Sequence, residues 1–385
     1  MNTLTKPSAR RLVTLLRSEG PMSRVQIASA LNVRPSTVTR LVNDLFAQNI
    51  LSEEIDPDRN GRRGYPSKLV KLRSDSLLSA GVFVDPDTLF TCIVDSHGTL
   101  LSEDSKSIED RNFQTVLGDA GQMIRHQMQG LKLGPKDFIG CGISYPGQHT
   151  NQPGKVLRTT YLAQWPDIDA RTDLEPFFGM PVHQLNDAKS ACLAELLFGV
   201  CKPIRNFCYI WLSYGIGGAA VINQSLFLGR DLTAAEFGGL FPKSQPRPSG
   251  QDLIDTLARA GQPIARLESI SPEVLAGPVV EEWTTRAVTQ LRWLSLVIMR
   301  TFAPDAIVIG GRLADSILDR FLSDLSAMDT LGEDFAIRPP QFLRAICDRK
   351  PQLGAACLPV YFGTNTAVDF HPELSRFFHR ELSHL

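Results

Sequence analysis

The chain changes its grammar at Arg73–Asp75. Ahead of this joint, apolar residues recur at helical spacing in three short runs. Behind it, short apolar strands alternate with helices, and the strands-then-helices succession is run through twice. Helical and strand periods place side chains on different faces, so the switch constrains the fold more than any single motif. It predicts a small N-terminal module (residues 1–72) joined to an α/β body of two similar lobes, at 76–186 and 187–385.

In the first module, Ser8 to Glu19 puts Leu12, Leu15 and Leu16 on one face and ends at Gly20-Pro21. Ser23 reads as the N-cap of a second helix that turns Ile27, Ala28 and Leu31 inward. After an Asn32-Val33 turn, Pro35 suits the first position of a third helix. There Val38, Leu41, Val42 and Leu45 follow the i, i+3, i+4, i+7 pattern, and Ser36, Thr37, Thr39, Arg40 and Asn43 occupy the opposite face. Ile50 to Leu72 then reads as a hairpin whose tip, DPDRNGRRGYPSK, is rich in turn formers and arginine.

Three helices followed by a basic hairpin form a winged helix-turn-helix pattern. Charge supports a polyanion partner for this part alone. Residues 1–72 hold 12 Lys and Arg against 6 Asp and Glu, a net of +6; the whole chain is at −1, which leaves −7 for the remainder. On this pattern the third helix enters the major groove of double-stranded DNA. Arg34, Thr37 and Arg40 reach base edges, and Ser36 and Thr39 reach phosphates. Arg62 and Arg63 at the hairpin tip meet phosphates or a narrow minor groove. The same periodicity also describes a small helical subdomain with a solvated polar face.

Seven cysteines (Cys92, Cys141, Cys192, Cys201, Cys208, Cys347 and Cys357) are odd in number and never spaced C-x-x-C, so they read as buried free thiols in a reducing compartment. The opening MNTLTKPSAR lacks the apolar core of a signal peptide. No apolar run approaches the roughly 20 residues of a membrane span. A cytoplasmic protein with no membrane partner is expected.

In the α/β body, strands are expected at Leu78–Val84, Leu89–Val94, Thr99–Ser102, Phe138–Ser144 and Val182–Leu185. A second set follows at Phe207–Leu212, Ala219–Asn223 and Ala306–Gly310, the last preceded by a long helix from about Pro278 to Thr301. Four segments punctuate it: Gly140-Cys-Gly-Ile-Ser-Tyr-Pro-Gly147, Leu185-Asn-Asp-Ala-Lys-Ser-Ala-Cys-Leu-Ala-Glu195, Tyr214-Gly-Ile-Gly-Gly-Ala219 and Ala306-Ile-Val-Ile-Gly-Gly-Arg312. In this order, and with the late Gln352-Leu-Gly-Ala-Ala356, they resemble the ROK family of sugar kinases and sugar-responsive repressors. The resemblance covers nearly the whole chain, including the winged helix that only the repressor branch carries. It implies an actin-like, two-lobed fold of duplicated ribonuclease H-like sheets, with a dimerisation surface on the second lobe.

The resemblance also assigns residues. Asn186 and Asp187 match a pair that binds sugar hydroxyls, the Asp being the catalytic base in the kinases. Glu236, in Ala235-Glu-Phe-Gly-Gly239, matches a sugar-binding glutamate, and the turn through Gly147 forms part of the ligand wall. Helix N-capping remains open as a second role for Asp187. Two departures stand out. Where the family's kinases carry Asp-x-Gly-Gly-Thr to cradle ATP phosphates, this chain has Phe83-Val-Asp-Pro-Asp-Thr-Leu89, without glycine and with a proline that removes a donor. Where the family carries a zinc-binding His and a Cys-rich run, this chain has Gly239 and Phe241-Pro-Lys-Ser-Gln-Pro-Arg-Pro-Ser-Gly250. Tyr161 stands in place of a polar contact to the sugar.

The expectation is therefore a non-enzymatic repressor of carbohydrate genes. It has no catalytic residues, no zinc and no ATP. It acts as a homodimer or tetramer on an inverted-repeat operator and is controlled by a small carbohydrate-like effector. The competing readings are a carbohydrate kinase with an appended DNA-binding domain and a DNA-binding dimer whose sensor binds nothing.

Overall fold

The structure, a computed structural model, describes residues 4, 6–56, 68–147, 162, 165–166, 168–327 and 339–365. The chain divides into two compact units, one of residues 1–185 with 355–385 and one of 186–354.

The first unit opens with three helices, α1 (Pro7–Glu19), α2 (Arg24–Leu31) and α3 (Pro35–Ala47), and three strands, β1 (Met22–Ser23), β2 (Leu51–Ile55) and β3 (Lys68–Leu72). β3 is the centre of this sheet and pairs antiparallel with both neighbours. The winged helix-turn-helix expected from sequence is present, with one strand more than the sequence reveals. Its local logic follows the sequence. Ser23 caps α2 in a reciprocal capping box with Gln26, Asn32 takes a left-handed φ of 53° at the end of α2, and Pro35 opens α3. Val38, Leu41, Val42 and Leu45 are buried and pack with Leu12, Val13 and Leu16 of α1 and with Ile27 and Leu31 of α2. The hairpin tip, with Arg62 and Arg63, lies outside the described residues.

Next comes a five-stranded sheet in the order β6-β5-β4-β7-β8, built from β4 (Leu78–Val84), β5 (Thr88–Val94), β6 (Leu100–Ser107), β7 (Phe138–Tyr145) and β8 (Val182–Asn186). β4, β5 and β6 form an antiparallel meander, whereas β7 joins β4 in parallel after helix α4 (Phe113–Leu131). Every residue of β4 is buried, as a central strand requires. Leu117, Ala120 and Ile124 of α4 close one face of the core.

The second unit repeats this plan. It contains α5 (Asp187–Leu197), β9 (Phe207–Leu212), β10 (Ile216–Ile222), β11 (Ser225–Leu226), α6 (Gly250–Arg259), α7 (Pro278–Phe302), β12 (Ala306–Gly311), α8 (Asp315–Ser326) and β13 (Gln341–Arg344). The sheet order is β11-β10-β9-β12-β13, an antiparallel meander followed by two parallel strands. The same strand order in both units is the duplication that the sequence grammar implies.

The last described helix, α9 (Gln352–Thr364), starts in the second unit and continues in the first from Ala355. The lobe range read from sequence, 187–385, differs from this at its C-terminal end. In the first unit α9 packs closely. Pro359 has no N–H to offer the Ala355 carbonyl four residues back, and that carbonyl faces Gly142 so tightly that an added Cβ would stand 1.8 Å from its oxygen. The helix end also holds the N-terminal module: Thr14 Oγ1 donates to Thr364 O (3.0 Å), and Arg17 Nη1 donates to Thr364 Oγ1 (3.1 Å). Burial lowers the Arg17 guanidinium to about 10. Six of the seven cysteines are buried and Cys347 is half-buried. Among the described residues no helix is long and apolar enough to cross a membrane.

Candidate functional sites

The exposed face of α3 carries Arg34, Ser36, Thr39 and Arg40, with Thr37 half-buried. Arg34 sits at the N-cap, where its side chain makes no capping bond. Among the described residues neither Arg34 nor Arg40 pairs with an acidic side chain, so both guanidinium groups keep all five donors for an outside partner. Thr39 is partly spoken for, since its hydroxyl donates to Pro35 O at 3.1 Å. Arg24 is not available in the same way: Glu53 on β2 holds it at 2.9 Å and Lys68 at 3.2 Å. Among the described residues, the free cations of the module are thus concentrated on the third helix.

In the second unit, three residues named from sequence come together around the start of α5. Asn186 is the N-cap, its Oδ1 accepting from the Lys189 N–H at 3.0 Å. That separates two roles the sequence left open, because Asn186 caps the helix and Asp187 is released from the task. One oxygen of Asp187 accepts from the Ala188 N–H (2.9 Å) and the other from Trp211 Nε1 (3.1 Å). Burial pushes the Asp187 carboxyl up to about 6; the nearby Glu236 adds to this, whereas the two hydrogen bonds and Lys189 oppose it. A carboxyl in this range is ionised at neutral pH and still offers lone pairs to hydroxyl donors.

Glu236 lies on a loop pressed against β10. Gly218 makes this possible, since a Cβ there would stand 2.3 Å from the Phe237 ring and 2.4 Å from the Ala235 carbonyl oxygen; a Cβ at Gly217 would instead stand 2.5 Å from the Ala188 side chain of α5. Ala235, just before Glu236, holds a left-handed φ of 58°, a costly conformation for a residue with a Cβ and one that clusters at functional sites. Beyond Glu236 the loop makes three contacts within the unit. Arg247 Nη2 donates to Gly238 O (2.7 Å), Gln290 Nε2 donates to Pro246 O (2.7 Å), and Phe241 meets Trp293 edge-on at 5.7 Å. Two residues of this site escaped the sequence reading, Trp211 and Lys189. The signal for Lys189 was there, the one cation of α5, set in the small-residue run Ala188-Lys-Ser-Ala-Cys192.

Gly147 is half-buried just after β7, in the first unit, apart in the chain from the Asp187 cluster. The Tyr145 hydroxyl next to it donates to Gln184 Oε1 at 2.8 Å. Tyr161 lies outside the described residues.

Comparison with known proteins bears on this arrangement. The ROK family model matches residues 81–251, from β4 through the glycine turn and the Glu236 loop to the start of α6. Residues 81–251 are thus similar to the ROK family. An uncharacterized protein of Sinorhizobium fredii is 29% identical over 356 residues, which cover 91% of this chain and 90% of that protein. The xylose repressor of Bacillus spizizenii is 27% identical over 233 residues, 60% of either chain. Among solved structures, a ROK family transcriptional regulator homologous to the Escherichia coli MLC protein aligns at a TM-score of 0.72 and 19% identity, covering 97% of this chain and 100% of the other. A ROK hexokinase from Thermus thermophilus aligns at 0.58 and 20% identity, covering 74% of this chain and 98% of its own. The ROK fold is thus shared with regulators and kinases alike, and the regulator alignment extends across nearly the whole chain.

Proposed function

We propose that this chain is a cytoplasmic transcriptional repressor of carbohydrate genes, binding DNA through α3 and its wing and releasing or gripping it in response to a sugar or sugar derivative. The observation that carries this reading is the pairing of a winged helix-turn-helix, with two unpaired arginines on its third helix, with a ROK domain that retains Asn186, Asp187 and Glu236. The relationship to a protein named xylose repressor supports it. A two-fold dimer, or a tetramer built from such dimers, matches an inverted-repeat operator because each copy reads one half-site.

The kinase alternative needs a phosphate cradle in the first unit, and the residues there do not fit one. The β4–β5 turn is closed by its own backbone, with the Asp85 N–H given to Thr88 O at 2.9 Å, and Pro86 has no N–H at all. Phosphoryl transfer depends on positioning and charge stabilisation of phosphates, so Asp187 alone gives no kinase. The family's zinc is equally ill-suited to this chain. The stretch after Glu236 offers neither Cys nor His, and its loop is already fixed by Arg247, Gln290 and Trp293.

Purified protein is therefore expected to turn over no ATP with any sugar offered, and to keep its melting temperature in the presence of a chelator. ATP-dependent phosphorylation of a sugar, abolished by Asp187→Asn, would replace the repressor reading with the kinase one. About one zinc per chain by elemental analysis would show that a metal site exists after all.

A further inference from the structure

We propose that Lys189 is a positioning residue of the effector site, fixing the Glu236 carboxylate beside Asp187 so that two carboxylates meet one uncharged, polyhydroxylated ligand. The proposal rests on the effector-site reading above. Its starting point is a lysine where none is expected. The Lys189 side chain is 0% exposed, and its Nζ lies 2.5 Å from Glu236 Oε1, whereas the Glu236 side chain is 26% exposed. An ammonium group taken fully out of water needs a paired anion, and Glu236 is the ion-pair partner recorded for it among the described residues.

The pair has three consequences for the site. It commits one oxygen of Glu236 to the protein and leaves Oε2 without a hydrogen bond among the described residues, so Glu236 serves a ligand as a single-oxygen acceptor. It lets Asp187 and Glu236 share a site, since Lys189 offsets their mutual repulsion. And it hides the cation: an ammonium with no exposed surface cannot meet a ligand phosphate or carboxylate. What remains outward is acceptor character with a net charge of −1 from Asp187, Lys189 and Glu236. Sugar phosphates and sugar acids are repelled by such a cluster; neutral polyols supply the hydroxyl donors it needs.

The test uses no effector, so it stands even if no sugar binds. The full chain has four tryptophans, and labelling them with nitrogen-15 allows the Trp211 indole N–H, assigned through Trp211→Phe, to be followed against pH. Because this N–H donates to Asp187 Oδ2 at 3.1 Å, its resonance reports the Asp187 carboxyl. The groups facing Asp187 are Lys189 on its own helix, Glu236 on the loop and Trp211 on β9. In wild type the midpoint is expected at about 6. Lys189→Met should move it upward, and Lys189→Met combined with Glu236→Gln, which buries no unpaired charge, should bring it back down. A midpoint unmoved by Lys189→Met, or the same in the single and the double variant, would overturn the positioning role. Millimolar inorganic phosphate should leave the wild-type resonance in place; a phosphate-induced shift would overturn the uncharged ligand class. Loss of the Lys189 effect would leave the DNA-binding reading untouched, and failure of a sugar screen would leave the Lys189 result untouched.

Discussion

Arg40→Ala weakens binding of the full chain to its operator by about 1–3 kcal/mol, roughly 5–150-fold, and relaxes the preference for one base in each half-site. The expectation follows from what surrounds the side chain. Arg40 is exposed one turn into a helix whose other face is locked into the core by Val38, Leu41, Val42 and Leu45, so its backbone position is fixed while its guanidinium is unpaired. A group held in that way can place two parallel N–H donors on a guanine edge with little ordering cost. Arg34→Ala, at the helix N-cap, tests the same surface. If its loss weakens all duplexes alike and lowers the salt dependence by about one phosphate contact, Arg34 touches the backbone instead of a base. Fluorescence anisotropy with the operator and single-base variants separates the cases. An unchanged affinity and base profile for Arg40→Ala would return α3 to the status of a solvated helix face.

The second large effect is expected at Asp187. Asp187→Asn keeps the size of the side chain and an acceptor for the Trp211 indole, but removes the charge that hydroxyl donors seek. Effector affinity should fall by about 1.5–3 kcal/mol, while operator binding in the absence of effector stays as in wild type. The pH dependence has a defined sign. The Asp187 carboxyl is raised to about 6, so it is ionised above that pH and protonated below it. Effector binding that relies on the carboxylate therefore weakens as pH falls through about 6, and the Asn variant loses this dependence. Calorimetry of both proteins with a neutral sugar selected by thermal shift measures both effects. Equal affinities, or a pH profile shared by the variant, would remove Asp187 from the effector site.

Much of this architecture was legible before any coordinates, for physical reasons. The α3 core stripe and the buried strands are long enough for periodicity to show, and each helix start carries its own signal in Ser23 and Pro35. What sequence could not show falls into three kinds. β1 has two residues, too short for any period, and exists only because β3 offers it an edge. The Thr14–Thr364 bond joins residues 350 positions apart, a proximity no local pattern contains. Lys189 is the instructive case. A lysine in a helix usually reads as a solvated side chain, and only the loop carrying Glu236, which the missing side chain of Gly218 lets approach β10, turns it into a buried partner. The division of labour at α5 was likewise invisible, because Asn186 and Asp187 are both good capping residues and only the geometry shows which one caps.

The repressor account is tested most directly by selection of duplexes from a random pool with the full-length protein, repeated with Arg34 and Arg40 both changed to alanine. The account predicts that wild type enriches an inverted repeat whose half-sites are centred one helical turn, about 10 base pairs, or a multiple of it apart, and that the double variant enriches nothing. Recovery of the same repeat by the double variant, or no enrichment by wild type at any salt concentration, would contradict it.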